Sequence, residues 1–197
     1  GEKLDDAIEL SIERAIDEPL AVIESGIVGT ITELTSASDE YIDFCLQSAK
    51  GLDLSGKKIV LDCANGATFD VAPKLFKQLG ATVIEVGTTP NGININDHVG
   101  STAPNTIIER VKAESADYGI AFDGDGDRLL IIDEEGRPFD GDDILYLLAT
   151  ANNEKAVVGT IMSNLGFELA LQAKGIELLR SKVGDRYVLE LLNEKGL

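Results

Sequence analysis

From Lys57 onward, short runs rich in apolar and β-branched residues alternate with segments whose apolar residues recur at helical spacing. These patterns predict strands at 57–63, 82–86, 118–122, 129–133 and 137–139, and helices at 69–79 and 104–113. Strands that alternate with helices favour right-handed βαβ units and therefore a mostly parallel sheet. We accordingly predict an α/β fold with a mixed, mostly parallel sheet.

A second unit of the same kind follows. Its predicted elements are a helix at 142–151, a strand at 156–162, a helix at 167–173, a strand at 176–180 and a helix at 187–192. Like the first unit, it has Asn and Gly at the turn after its first strand, in Asn65-Gly66 and in Asn164-Leu165-Gly166. This match favours two similar α/β domains over one continuous sheet. With two or three strands, the second unit has too little sheet to close a core of its own.

The segment before Lys57 predicts two helices and a connector. Residues 1–16 have the spacing of an amphipathic helix, and 17–36 form a connector with one short strand near 27–34. A second helix is expected to begin at Asp39, its N-cap, and to end near Gly51. We therefore predict three parts: the end of a preceding domain with a connector (1–36), a complete α/β domain (37–140) and part of a second similar domain (141–197).

Charge and cysteine content narrow the functional classes. The chain has 35 acidic and 17 basic residues, and its net charge of −18 opposes binding to nucleic acid or to an anionic membrane surface. No apolar run approaches the roughly 20 residues of a membrane span. The two cysteines show no disulfide or zinc-ligand pattern, which predicts buried free thiols and a cytoplasmic location.

The run Asp123-Gly124-Asp125-Gly126-Asp127-Arg128 lies between two predicted strands. Three carboxylates this close repel one another unless a cation lies among them. The alternating glycines permit turns that let the side chains converge. All-oxygen ligation suits a hard divalent ion such as magnesium or calcium rather than zinc or copper. The run therefore predicts a metal site with Asp123, Asp125 and Asp127 as ligands.

Other interpretations fit this run less well. An EF-hand needs helices on both sides and Gly at its sixth position, where Arg128 lies. A metal-dependent phosphatase with Asp123 as its nucleophile stays open as an alternative, although Gly126 lies where a small apolar or hydroxyl residue is expected. An acidic hairpin without an ion is costly, because three like charges share one tight turn.

Arg128 and Lys182 are the candidate catalytic residues. An arginine next to a dication is suited to clamp a phosphate or to pair with one of the carboxylates. Lys182 follows a predicted strand and precedes a predicted helix, where it can meet an anionic ligand or transfer a proton. Both also have an ordinary interpretation as exposed basic residues. Asp185, three residues after Lys182, is expected to be the N-cap of the last helix.

These residues resemble the motifs of the α-D-phosphohexomutases, in particular those of the bacterial phosphoglucosamine mutase branch. The acidic run resembles the metal loop of that family. Three further segments match in the expected order, namely Leu61-Asp62-Cys63-Ala64-Asn65-Gly66-Ala67, Pro90-Asn91-Gly92-Ile93-Asn94-Ile95-Asn96 and Lys182-Val183-Gly184-Asp185-Arg186-Tyr187-Val188. The similarity covers nearly the whole chain, and four separate motifs make it specific.

The resemblance implies an enzyme of four domains around a central cleft, with an active-site phosphoserine in the first. It implies that Asp123, Asp125 and Asp127 bind Mg²⁺ together with that phosphoserine. The implied reaction interconverts glucosamine 6-phosphate and glucosamine 1-phosphate through a bisphosphorylated intermediate, as part of amino sugar metabolism. By the same resemblance, Arg128 assists near the phosphoryl group and Lys182 aids proton transfer.

Three motifs of that family do not occur in the 197 residues. They are the Ser-His-Asn-Pro run of the phosphoserine loop, the Glu-x-Ser-Gly sugar loop and the C-terminal phosphate loop. We therefore expect a truncated chain with the whole second domain and part of the third, inactive by itself. A non-catalytic module that binds a divalent ion or a sugar phosphate stays open as an alternative.

Overall fold

The structure is a computed structural model that describes residues 4–19 and 29–197. Within these residues, helices and strands alternate along most of the chain. They are α1 (Asp6–Asp17), α2 (Ala37–Ser48), β1 (Lys58–Asp62), α3 (Val71–Gln78), β2 (Thr82–Val86), α4 (Asn105–Glu114), β3 (Tyr118–Phe122), β4 (Leu129–Asp133), β5 (Pro138–Phe139), α5 (Gly141–Ala151), β6 (Ala156–Thr160), α6 (Leu165–Ala173), β7 (Glu177–Ser181) and α7 (Asp185–Lys195).

The larger sheet has five strands in the order β2-β1-β3-β4-β5. β1 pairs in parallel with β2 and with β3, so that Ile59 lies beside both Val83 and Tyr118. β4 pairs antiparallel with β3 and with β5. Six residues join β3 to β4, and because a parallel connection needs about a dozen or more, the chain returns as a hairpin. The prediction of an α/β fold with a mixed sheet is confirmed.

Helices cover both faces of this sheet. Val60 of β1 packs in a buried cluster with Ile107 and Val111 of α4. The next residue, Leu61, packs on the opposite face against Ala72 of α3, and α2 packs in turn against α3. Successive side chains of a strand point to opposite faces. The continuous apolar run in β1 therefore contributes to two cores, one on each side of the sheet.

The second sheet consists of β6 and β7, which pair in parallel with Val157 beside Leu178. A smaller buried cluster on this sheet includes Ala149 of α5 with Phe167 and Leu171 of α6, while α7 contacts both strands. A βαβ unit with two or three strands was expected here, and the sheet has two. The division of the chain into 1–36, 37–140 and 141–197 stays a prediction.

Two predicted helix caps are wrong. α2 begins at Ala37, so Asp39 lies in its first turn, where an acidic side chain still favours the positive end of the helix dipole. Asp185 is the first residue of α7, and the residue before it is Gly184, whose φ of 130° lies outside the helical range. In both places the chain enters the helix earlier than the polar residue suggests.

The N-terminal part of the described chain contains α1 but no strand. The Asp5 carboxylate caps α1 by accepting hydrogen bonds from the N–H groups of Ala7 (2.9 Å) and Ile8 (3.1 Å). The short strand expected near 27–34 is wrong for 29–34, and residues 27 and 28 lie outside the described residues. Within 4–19 and 29–197, no helix is long and apolar enough to cross a membrane.

We predict that Ile107→Ala lowers the free energy of unfolding by about 2–5 kcal/mol, since it opens a cavity in the core beneath α4. Ile107 is fully buried, and urea unfolding followed by far-UV circular dichroism measures the change. Ile93→Ala removes the same atoms from a side chain that is 90% exposed. Its expected effect is below about 0.5 kcal/mol. Equal losses in the two variants would contradict this assignment of the core.

Candidate metal centre

The acidic run forms the loop between β3 and β4. Because β1, β2 and β3 are parallel, their carboxyl ends lie at one edge of the sheet, and the loop begins at that edge after Phe122. Open α/β sheets bind ligands at this edge. The segments on either side of the loop are strands and not the helices of an EF-hand.

The carboxylates of Asp123, Asp125 and Asp127 converge. Each side chain offers one oxygen, and these oxygens all lie within 4.8 Å of one another. Asp123 is only 2% exposed, whereas Asp125 and Asp127 are exposed. The cluster therefore has one carboxylate fixed in the protein and two that face solvent, so a ligand from outside the loop can reach an ion held among them.

The backbone of the loop is bent by a tight turn. The N–H of Gly126 donates to the carbonyl oxygen of Asp123 (3.1 Å). Gly126 has a φ of +78°, a conformation that side chains with a Cβ rarely adopt. This turn brings Asp125 and Asp127 back toward Asp123, as the alternation of aspartate and glycine predicted.

Arg128 holds the buried carboxylate in place. Its Nε donates to Oδ2 of Asp123 (2.7 Å), and its backbone N–H donates to Oδ1 (3.0 Å). Nε also lies 3.7 Å from Oδ1 of Asp127. The two roles that the sequence left open for Arg128 were phosphate binding and pairing with a carboxylate, and the structure contains the second.

The pKa values of two aspartates shift in opposite directions. Burial works against ionisation of Asp123, but the hydrogen bonds from the backbone and guanidinium of Arg128 outweigh it and lower the pKa of Asp123. Partial desolvation beside the other carboxylates, followed by repulsion from Asp125 and Asp123, raises the pKa of Asp127. The cluster therefore carries more negative charge than Arg128 neutralises.

This donor set fits a hard divalent cation. All the offered atoms are carboxylate oxygens, which are the ligands that Mg²⁺ and Ca²⁺ take in proteins. Three carboxylates against the guanidinium of Arg128 leave two negative charges in excess, and a divalent cation neutralises that excess. The three aspartates thus form a candidate metal-binding group.

Two neighbouring loops pack against the metal loop. The turn after β1 approaches so closely that a Cβ on Gly66 would lie 2.1 Å from the carbonyl oxygen of Gly124, and the N–H of Ala67 donates to that oxygen (2.8 Å). The loop after β2 makes a second contact, because the N–H of Ser101 donates to the carbonyl oxygen of Phe122 (2.8 Å). Both contacts are close to Asp123 in sequence.

The two similar turns of the sequence have different roles. Asn65 ties loops together, since its Oδ1 accepts the N–H of Thr89 (3.1 Å) and its Nδ2 donates to the carbonyl oxygen of Asn94 (3.3 Å). Asn164 is instead the N-cap of α6, where its Oδ1 accepts the N–H of Phe167 (2.8 Å). The two turns are therefore similar in sequence but differ in the contacts of their asparagine side chains.

Sequence reasoning missed Asp62, the last residue of β1. Its side chain is fully buried; Oδ1 accepts the N–H of Ala64 (2.9 Å) and Oδ2 accepts the N–H of Gly100 (2.7 Å). Burial raises the pKa of Asp62, and the two hydrogen bonds oppose that rise in part. The signal that was available is a carboxylate at the end of an apolar run predicted to be a buried strand.

Lys182 lies in the turn between β7 and α7, at the carboxyl end of the smaller sheet. It is exposed, and its Nζ lies 5.3 Å from the ring centroid of Tyr187, in a cation–π contact. Lys182 thus belongs to a different sheet from the metal loop, whereas Arg128 is part of that loop. The catalytic roles of Arg128 and Lys182 stay predictions.

A cavity of about 400 Å³ opens beside the metal loop. It is lined by Gly124 and Asp125 of that loop, by Asn65 and Phe69 after β1, and by Ile95 after β2. Cavities that bind small molecules usually measure about 300–1,000 Å³. The exposed side of the metal cluster therefore borders a space large enough for a small ligand.

The sequence matches two family models. Residues 39–136 match the phosphoglucomutase/phosphomannomutase α/β/α domain II, and residues 140–197 match α/β/α domain III of the same family. The larger sheet, with helices on both faces, has the layers that the first description names. The chain belongs to the phosphoglucomutase/phosphomannomutase family.

Curated relatives agree with this membership. The chain is 52% identical over 202 residues to the phosphoglucosamine mutase of Pseudoalteromonas translucida and 49% identical over 201 residues to that of Alcanivorax borkumensis. Both alignments cover the whole chain, but 45% of the relative. The chain therefore spans less than half the length of these relatives.

A solved structure has the same fold. The crystal structure of a phosphoglucomutase/phosphomannomutase family protein from Burkholderia thailandensis superposes with a TM-score of 0.68 at 29% sequence identity. The match covers 81% of this chain and 36% of that chain. The resemblance inferred from the motifs is confirmed at the level of the family.

We predict that Asp125→Ala weakens Mg²⁺ binding by more than about tenfold, because the variant removes one of three converging oxygen ligands. Loss of a residue that only supports a metal ligand already weakens binding by about tenfold or more. Isothermal titration of Mg²⁺ into the wild type and the variant measures the effect. Glu134→Ala removes the same charge from an exposed position after β4 and is expected to bind like the wild type. An unchanged affinity in Asp125→Ala would remove Asp125 from the ligand set.

Gly66→Ala is a second test of the centre. The added Cβ must displace the carbonyl of Gly124, which we expect to lower the free energy of unfolding by about 1–3 kcal/mol and to weaken Mg²⁺ binding. Gly141→Ala is the control, since a Cβ there has nothing within 4 Å. Urea unfolding and Mg²⁺ titration of both variants check this. If Gly66→Ala matched the control in both, the close contact between the two loops would be wrong.

Proposed function

We propose that this chain is the metal-binding part of a magnesium-dependent phosphosugar mutase that interconverts glucosamine 6-phosphate and glucosamine 1-phosphate. The proposed route uses a phosphoserine enzyme and a bisphosphate intermediate. The observation that carries the proposal is the cluster of three aspartates with Arg128 at the carboxyl edge of the sheet. It gains support from the identity of about half the residues with phosphoglucosamine mutases over the whole chain.

In the proposed reaction, Asp123, Asp125 and Asp127 hold Mg²⁺ together with the phosphoserine. The ion, when bound, neutralises negative charge on the phosphoryl group that is transferred. Arg128 orients the Asp123 carboxylate through hydrogen bonds to both of its oxygens. The exposed pair, Asp125 and Asp127, presents its oxygens on the side from which a phosphorylated hexosamine arrives.

Arg128 and Lys182 are the proposed catalytic residues. The Arg128 side chain is 70% exposed although its Nε is bonded to Asp123, so the rest of the guanidinium is accessible to a phosphoryl oxygen. Lys182, on the β7–α7 turn, is proposed to transfer a proton to or from a sugar hydroxyl. For Lys182 the support is its place in a motif of the family and its position at a carboxyl strand end.

The same proposal covers the setting of the enzyme. We also propose that the chain divides at 36/37 and 140/141, that the enzyme is cytoplasmic and that it supplies an amino sugar precursor of the cell wall. The proposal includes no nucleic acid and no membrane as a partner. Because phosphoryl transfer needs a donor phosphate, and the 197 residues contain no Ser-His-Asn-Pro run, we propose that they do not catalyse the reaction alone.

The alternative of an aspartyl phosphatase is less well supported. Both carboxylate oxygens of Asp123 accept hydrogen bonds from Arg128, and the side chain is 2% exposed. A nucleophile needs an oxygen that can approach phosphorus in line with the leaving group. These contacts favour a ligand at this position. A binding module without activity stays the second alternative.

We expect the full-length protein to convert glucosamine 6-phosphate to glucosamine 1-phosphate in a Mg²⁺-dependent manner. Asp125→Ala should lower kcat/KM by at least about 100-fold, in the range seen when one electrostatic contact to a transition state is lost. Chelation should abolish conversion and added Mg²⁺ should restore it. The measurement follows both sugar phosphates and free phosphate over time.

The other products of this assay decide between the alternatives. Net release of inorganic phosphate that Asp123→Asn abolishes would support the phosphatase. Saturable binding of the sugar phosphate without conversion by the full-length protein would support the binding module. Conversion by the 197-residue chain alone would contradict the proposed need for a donor outside it.

A further inference from the structure

The buried carboxylate of Asp62 lies where three loops meet. Its Oδ1 binds the turn after β1 through the N–H of Ala64, and its Oδ2 binds the loop after β2 through the N–H of Gly100. Asp62 and Gly100 are 38 positions apart in the sequence, so this hydrogen bond closes a long loop. Asp62 is fully buried, and its two hydrogen-bond donors are backbone amides.

Both loops held by Asp62 contact the metal loop directly. Three residues after Ala64, the N–H of Ala67 donates to the carbonyl oxygen of Gly124 (2.8 Å). Immediately after Gly100, the N–H of Ser101 binds the carbonyl oxygen of Phe122 (2.8 Å). The residue between these two carbonyls in the sequence is Asp123. Asp62 is thus linked to the residues before and after Asp123, in each case through a short segment of one loop.

The backbone around Asp62 is strained. Six residues other than glycine have positive φ within the described chain, and four of them lie in these two loops, at Ala64 (55°), Asn65 (49°), Asn96 (57°) and His98 (56°). Such conformations persist only where the surroundings hold them. The charged acceptor at Asp62 supplies strong hydrogen bonds at the start and at the end of this strained region.

We propose that Asp62 is a positioning residue for the metal centre. It fixes the two loops against the metal loop and so sets the place of the Asp123 carboxylate relative to Asp125 and Asp127. The inference rests on the cation-binding part of the proposed function, and on no assumption about the sugar. It explains why a carboxylate occupies a fully buried position at the end of β1, where an apolar residue would cost less to bury.

Asp62→Asn tests this with little change in size. An amide has one acceptor oxygen, so the N–H of Ala64 or of Gly100 would face an NH₂ group and lose its partner. We expect the 197-residue chain with Asp62→Asn to bind Mg²⁺ about 10–100-fold more weakly, as when other supporting partners of a metal site are removed. Titration calorimetry measures this.

Asp133→Asn is the matched control. Asp133 is also a buried carboxylate, and its Oδ1 accepts the backbone N–H groups of Glu135 (3.0 Å) and Arg137 (2.8 Å). Its Oδ2 accepts the side-chain Nε–H of Arg137 (2.6 Å), so this variant also weakens an ion pair. Asp133 lies at the opposite end of the β3–β4 hairpin, beside Tyr118. We expect Asp133→Asn to lower stability in urea unfolding but to leave the Mg²⁺ affinity within about twofold of the wild type. The reason is that mutations at distant sites without shared partners act independently.

Hydrogen exchange separates this inference from the proposed metal function. In Asp62→Asn, the amides of residues 124–128 and of Ser101 should exchange faster, while those of β6 and β7 keep their wild-type rates; Asp133→Asn should leave 124–128 unchanged. If the wild type bound no Mg²⁺, the metal function would fail and the exchange rates would still decide the positioning role. Equal Mg²⁺ affinities and equal exchange in the metal loop for the two variants would overturn the proposal.

Discussion

The candidate site depends on the parallel pairing of β1 with both β2 and β3. Parallel pairing places the carboxyl ends of the three strands at one edge of the sheet, so the loops that follow them must share that edge. The loops after β1 and β2 pack against the loop after β3, through backbone hydrogen bonds to Gly124 and Phe122. The antiparallel return of β4 then confines the third loop to six residues. A loop this short holds its three aspartates close together.

The charge of this loop is balanced in part from within. Arg128 neutralises one carboxylate and lowers the pKa of Asp123, after burial has worked against it. The pKa of Asp127 is raised first by desolvation and then by repulsion from its two acidic neighbours. An excess of two negative charges at an exposed position attracts a divalent cation. The overall charge of −18 makes such a cation more important, because a phosphorylated ligand is otherwise repelled by the protein as a whole.

Local patterns predicted the elements well and the contacts between loops poorly. β2, β3 and β4 have the predicted bounds, because each is a short apolar run ended by turn residues or charge. The aspartate cluster was also predictable, since three like charges alternate with glycine. Asp62 was not, because its partners, Ala64 and Gly100, are backbone amides, and Gly100 is far away in the sequence. The predicted N-cap of α7 was wrong, because the sequence pattern does not distinguish an aspartate in the first turn of a helix from one that precedes the helix.

The uneven exposure of the cluster agrees with the transfer of phosphate better than with the permanent storage of an ion. A structural cation site is usually closed by protein ligands on all sides. Here Asp123 is buried and held by Arg128, while Asp125 and Asp127 face solvent, and Asp125 lines a cavity of about 400 Å³. Mg²⁺ keeps several of its ligand positions for water and for substrate phosphates when few carboxylates bind it. In the proposed function, the held carboxylate of Asp123 would fix the position of the ion, and the open side would leave room for a phosphoryl group. A site with all three carboxylates buried would have no open side for the phosphate.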